Sequence, residues 1–156
     1  MENFTKKKAF LYLAGIEGCT WAALACYSYL TVFLNREGFS VTQVGLINTL
    51  MSAVAVVSGP AVGTMADRLK SSRKAYVICA SMMGLAALTV PLAAQIKVAQ
   101  MVLIVVCITI HRIFYQSTSP MMESTVIIAS NKTGNDYGRI RTIGTVAWVI
   151  MCLILG

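Results

Sequence analysis

The stretch Val41-Thr-Gln-Val-Gly-Leu-Ile-Asn-Thr-Leu-Met-Ser-Ala-Val-Ala-Val-Val-Ser-Gly-Pro-Ala-Val-Gly-Thr-Met-Ala66 carries no charged residue and ends against Asp67-Arg68. A helix rises 1.5 Å per residue, so about 20 residues cross the roughly 30 Å hydrocarbon core of a bilayer. The quoted run exceeds that length and is read as a membrane span over about 41–66. Three further runs pass the same measure, about 9–34, 75–95 and 98–130, and a fifth, about 139–156, opens near Arg139. The predicted fold class is all-α, a polytopic membrane helix bundle of four full spans and the start of a fifth.

Composition supports the same solvent. Of 156 residues, 57% are hydrophobic and 12% charged, with a mean hydropathy of +0.72, whereas a soluble domain carries about 25% charged residues. Too little polar surface remains to cover a water-exposed globule, so the lipid bilayer is the expected surrounding. The net charge of +7 is explained by topology. Lys6, Lys7, Lys8, Arg68, Lys70, Arg73, Lys74, Lys132, Arg139 and Arg141 fall on one side, with Arg36 and Lys97 opposite and Arg112 inside a span. The positive-inside rule then predicts a multi-pass protein of the cytoplasmic membrane with its N-terminus in the cytoplasm. No basic patch interleaved with aromatics is left to bind nucleic acid. The run after Lys8 is too long for a signal-peptide core and lacks a small-residue cleavage site, so it is read as retained.

Cys19, Cys26, Cys79, Cys107 and Cys152 all sit in apolar runs without a Cys-x-x-Cys pair, and His111 is the single histidine. Reduced packing cysteines are expected, with neither metal site nor cofactor. No phosphate loop, nucleophile elbow or carboxylate pair is present to support an enzyme.

Ionisable groups in hydrocarbon are costly unless paired or facing a watery cavity, which singles out Glu17, Arg112 and Glu123. Arg112, Gln116, Ser119 and Glu123 recur at i, i+4, i+7 and i+11, one helical face. Arg141, Thr145, Trp148 and Cys152 share a face of the fifth run, and Glu17, Thr20, Ser28 and Thr31 form a looser line in the first. Arg112 and Glu123 are about 16 Å apart along one helix, so each requires another partner or water. Helix-to-helix hydrogen bonding is an equal reading for Thr20, Ser28, Asn48 and Ser52, and close backbone approach is the reading for Ser58, Gly59 and Gly63. Only about fifteen apolar residues, or roughly 22 Å of helix, follow Arg141. The expectation is therefore the front part of a longer protein.

The sequence Gly63-Thr-Met-Ala-Asp67-Arg68-Leu-Lys-Ser-Ser-Arg73-Lys74 resembles the cytoplasmic motif between helices 2 and 3 of the major facilitator superfamily. The resemblance implies that Gly63, Asp67, Arg68, Arg73 and Lys74 belong to a conformational-switch loop. The glycine usual after Asp-Arg is replaced here by Lys70 and Ser71 with one extra residue, which predicts a relaxed turn.

Ser119-Pro120-Met-Met-Glu123, followed by Tyr137-Gly138-Arg139-Ile-Arg141-Thr-Ile-Gly144-Thr145-Val-Ala-Trp148, looks like the lactose permease branch, the oligosaccharide:proton symporters. This run, Ser119 to Trp148, is the specific part of the likeness. It implies the N-terminal part of a major facilitator fold and a secondary active transporter, a proton-coupled symporter of a sugar or glycoside. Sugar-binding roles are implied for Glu123 and Arg141, holding each other and the sugar hydroxyls, and for Trp148, stacking on the sugar ring. Thr145 is implied to line the same pocket. The residue types suit those roles, because Arg offers a fork of donors, Glu two acceptors and indole an apolar face with a polar edge. Glu17 and Arg112 match nothing in that branch and are added as substrate-binding candidates, Arg112 suiting a solute that carries its own negative charge. Expected partners are a small-molecule solute, a proton, the bilayer, and a C-terminal half or partner chain. Alternatives are a nucleoside or aromatic-acid symporter of the same superfamily and a non-transporting truncated membrane fragment.

Overall fold

The computed structural model describes residues 2–96 and 99–156, the first three without side chains. Lys97, expected opposite the basic side, and Val98, expected to open the fourth run, lie outside the described residues. The elements are α1 (Glu2–Ala25), a 3-10 turn (Cys26–Tyr29), α2 (Leu30–Arg36), α3 (Val41–Leu69), α4 (Ser72–Gln95), α5 (Gln100–Thr133) and α6 (Tyr137–Leu155). No strand occurs among the described residues. Five segments are long and apolar enough to cross a membrane: Thr5–Arg36, α3, α4, α5 and α6. The chain is therefore a polytopic helical membrane protein.

The helices run past the apolar stretches where the ends are capped. Ser40 Oγ accepts the Gln43 N–H at 3.3 Å while the Ser40 N–H donates to Gln43 Oε1 at 2.8 Å. This reciprocal box satisfies two donors at the start of α3. Ser71 Oγ accepts the Lys74 N–H at 3.4 Å, which lets α4 begin before its first apolar residue. The connection after Asp67 differs from expectation. Helix continues to Leu69 and resumes at Ser72, so the turn is tight rather than relaxed. Lys70 takes the left-handed conformation (φ 49°, ψ 27°), and its N–H donates to the Asp67 carbonyl at 3.1 Å. Two residues thus suffice without the family's glycine, at the steric cost of a Cβ in the left-handed region.

The chain divides into two compact units. In the unit of residues 31–119, α3 packs on α4. Its core includes Leu34, Phe39, Ile47, Met51, Cys79, Ile104 and Ile108. Gly38 closes α2 at φ +89°, with the Phe39 N–H donating to the Leu34 carbonyl at 3.1 Å. The close approach expected at Gly59 and Gly63 is not found, since a Cβ at either would meet nothing within 4 Å. Ser58 is buried, and its hydroxyl donates to the Ala55 carbonyl of its own helix at 3.4 Å. Val56, Val57, Leu85 and Leu88 point outward, the arrangement that suits lipid, which is as apolar as they are.

The unit of residues 1–30 and 120–156 carries the candidate site. Here α1 lies along α6, over a core that includes Leu13, Leu24, Met122, Val126 and Ile140. At one end the Asn135 amide donates to the Lys6 carbonyl at 3.3 Å, and at the other the Tyr29 hydroxyl donates to the Cys152 carbonyl at 2.6 Å. The polar line through Glu17, Thr20, Ser28 and Thr31 is broken, because the 3-10 turn at Cys26–Tyr29 has three residues per turn rather than 3.6 and shifts the face.

Candidate functional site

Glu17 and Trp21 stand four residues apart on α1 and so share one face. The facing stripe of α6 carries Arg141, Gly144 and Trp148. Gly144 sets the spacing: a Cβ there would lie 2.6 Å from Trp21 Cδ1 and 2.9 Å from Glu17 Oε2. Its missing side chain lets both side chains of α1 lie against the backbone of α6. Glu17 is consequently sealed, with 0% of its side chain exposed.

Arg141 is the hub. Its Nη1 is 3.7 Å from Glu17 Oε2 and its Nη2 is 3.3 Å from Glu123 Oε1. The guanidinium carbon lies 4.1 Å from the centroid of the Trp21 ring, within the distance at which a ring face attracts a cation. Trp21 in turn meets Trp148 edge-to-face, with centroids 5.7 Å apart and planes at 66°. Two carboxylates therefore share one guanidinium, which rests on the Trp21 ring, and Trp148 backs that ring. The environments of the acids differ. Glu123 and Arg141 are each about one-third exposed, so a solute could reach them, whereas Glu17 is enclosed.

The structure thus brings together four of the residues singled out in the sequence: Glu17, Glu123, Arg141 and Trp148. Thr145 is exposed, and its hydroxyl donates to the Arg141 carbonyl at 3.3 Å. Arg112 belongs to the other unit, where its guanidinium lies 5.1 Å from the Tyr115 ring centroid and His111 is 5.8 Å from the same ring. Gly63, Asp67 and Arg68 lie in the last turns of α3, and Arg73 and Lys74 in the first turn of α4. Trp21 was missed in the sequence; its place one turn beyond Glu17 was the available signal. The five cysteines are free thiols, with Cys79 buried and Cys19 and Cys26 on the outer surface.

Charged groups held together in an apolar span, on a bundle of at least five apolar helices, define a membrane protein with a polar interior site. The MFS_1 like family model matches residues 12–156, and the chain belongs to that family, within the major facilitator superfamily of transporters. Compared with curated proteins and with solved structures, the chain matches none.

Proposed function

We propose that the protein is a proton-coupled symporter of a sugar or glycoside, with its N-terminus in the cytoplasm, and that Glu123, Arg141 and Trp148 orient the solute. The observation that carries the reading is the 3.3 Å contact between Glu123 and a guanidinium that is itself one-third exposed. A sugar presents vicinal hydroxyls that both donate and accept. The free N–H groups of Arg141 donate to such oxygens, and the second carboxylate oxygen of Glu123 accepts from the hydroxyls. Trp148 supplies a flat apolar surface for the C–H face of the ring. Thr145, one turn beyond Arg141, offers a further hydroxyl to the same solute. Transport then follows from alternating access around a midplane site, with Gly63, Asp67, Arg68, Arg73 and Lys74 holding one conformation at the cytoplasmic face.

The test is uptake of radiolabelled galactosides and glucosides by cells that lack their own carriers and express the protein, with and without a protonophore. Accumulation above the vector control that collapses with the protonophore is expected. Arg141→Lys keeps the charge and removes the fork, so substrate binding should weaken by roughly 10- to 100-fold. No accumulation of any sugar in the panel would overturn the reading.

A further inference from the structure

Among the described residues, neither carboxylate oxygen of Glu17 has a hydrogen-bonding partner, and the buried indole Nε1 of Trp21 beside it has none either. A fully enclosed carboxylate in a membrane span, whose ion-pair partner is a guanidinium at 3.7 Å with the Trp21 indole beside it, is poorly solvated as an anion. Glu123, by contrast, is partly exposed and lies 0.4 Å nearer to the same guanidinium. Charge counting points the same way. Two carboxylates and one guanidinium sum to −1, and one bound proton makes the triad neutral. The groups facing Glu17 are Arg141 from α6, Glu123 from α5 and Trp21 from its own helix, with the Tyr137 phenol within electrostatic reach. None of the other three can replace Arg141 as a cation.

We propose that Glu17 is the proton-carrying group of this protein, and that its protonation hands Arg141 over to Glu123 and the solute. The step balances simply. A proton from water forms an O–H bond on Glu17, the attraction between Glu17 and Arg141 falls away, and the triad passes from −1 to neutral. Arg141 is then held by Glu123 and the Trp21 ring, and its Nη1, released by Glu17, turns to the solute. Loss of the proton restores the Glu17 contact and draws the fork away. Because Glu17 is sealed beneath the α1–α6 contact at Gly144, the proton exchanges only when those helices part. Proton release and the conformational change are thereby coupled. The inference rests on the symport reading for the solute, but the titration of Glu17 does not.

Infrared difference spectroscopy of the purified protein in lipid nanodiscs, without solute, follows the carboxylic-acid carbonyl band as pH is lowered. The wild type should show one such band that is separate from those of the surface carboxyls. It should vanish in Glu17→Gln, persist in Glu123→Gln, and return, displaced, in Glu17→Asp, which also controls for folding. A band that survives in Glu17→Gln, one that disappears in Glu123→Gln, or its absence from the wild type would overturn the proposal. Failure of sugar uptake with a normal Glu17 band would instead count against the symport reading alone.

Discussion

The guanidinium of Arg141 rests against the ring of Trp21, 4.1 Å from its centroid, so the cation of α6 is held by an aromatic face of α1 as well as by two carboxylates. A cation over an indole gains about 0.5–1 kcal/mol where exposed and about 2 kcal/mol where desolvated, and Arg141, one-third exposed, falls between. Trp21→Phe keeps a ring with a weaker face and should cost about 1 kcal/mol, while Trp21→Leu should cost more. Thermal unfolding in detergent, read by near-ultraviolet circular dichroism, checks the order of the two.

Removing Arg141 leaves Glu17 enclosed and without its counter-charge. Breaking one side of a buried pair typically costs about 3–5 kcal/mol. Arg141→Ala should therefore be the most destabilising of the site substitutions. Adding Glu17→Gln to it should recover a large part of the loss, because the stranded charge is gone. Equal melting temperatures for the single and double variants would contradict the burial of an ionic pair.

Gly144→Ala places a methyl group where Trp21 Cδ1 and Glu17 Oε2 already lie, at 2.6 and 2.9 Å. Trp21 is braced by Arg141 and Trp148 and has little freedom to move aside. Overpacking of this kind costs typically about 1–3 kcal/mol. Gly59→Ala, which meets nothing within 4 Å, should be neutral, and the pair is measured side by side in the same detergent.

Lys70 occupies the left-handed region between α3 and α4. A Cβ there costs about 1–2 kcal/mol, part of which Lys70→Gly gives back through the greater freedom of the unfolded chain. The glycine variant should raise the melting temperature slightly, and Lys70→Val, branched at Cβ, should lower it.

Orientation is tested with single cysteines in a background lacking the five native ones. Asn35→Cys, in the last turn of α2, should react with an impermeant thiol reagent from outside, and Arg73→Cys should be protected until the membrane is permeabilised. The reverse pattern would place the N-terminus outside. Gly38 is avoided because its φ of +89° makes any side chain there strained.

The contrast between Ser40 and Cys26 shows what the sequence discloses. Ser40 followed by Gln43 announces the start of α3 through local chemistry, and the length of the apolar runs marks the first four spans. Cys26–Tyr29 contains neither proline nor glycine, so nothing local marks the 3-10 turn that breaks the polar line of the first span. Glu17 and Arg141 each stand out as charges in apolar runs, yet their pairing depends on α1 lying beside α6, which hydrophobic periodicity does not encode. Trp21 was hidden for a related reason: on a helix this apolar an aromatic residue reads as packing, and only Gly144 opposite turns it into a support for the guanidinium.

The Glu17–Arg141 contact joins the first span to the last described one, and this sets an order of events during synthesis. Glu17 leaves the ribosome roughly 120 residues before Arg141, an interval of roughly 6–25 s at about 5–20 residues per second. Throughout that interval the carboxylate of α1 is without the guanidinium that faces it in the folded protein. An isolated ion in hydrocarbon is far costlier than a neutral acid, and the guanidinium that answers Glu17 is supplied only when α6 arrives. The contact on which the site depends is therefore among the last to form between the described spans.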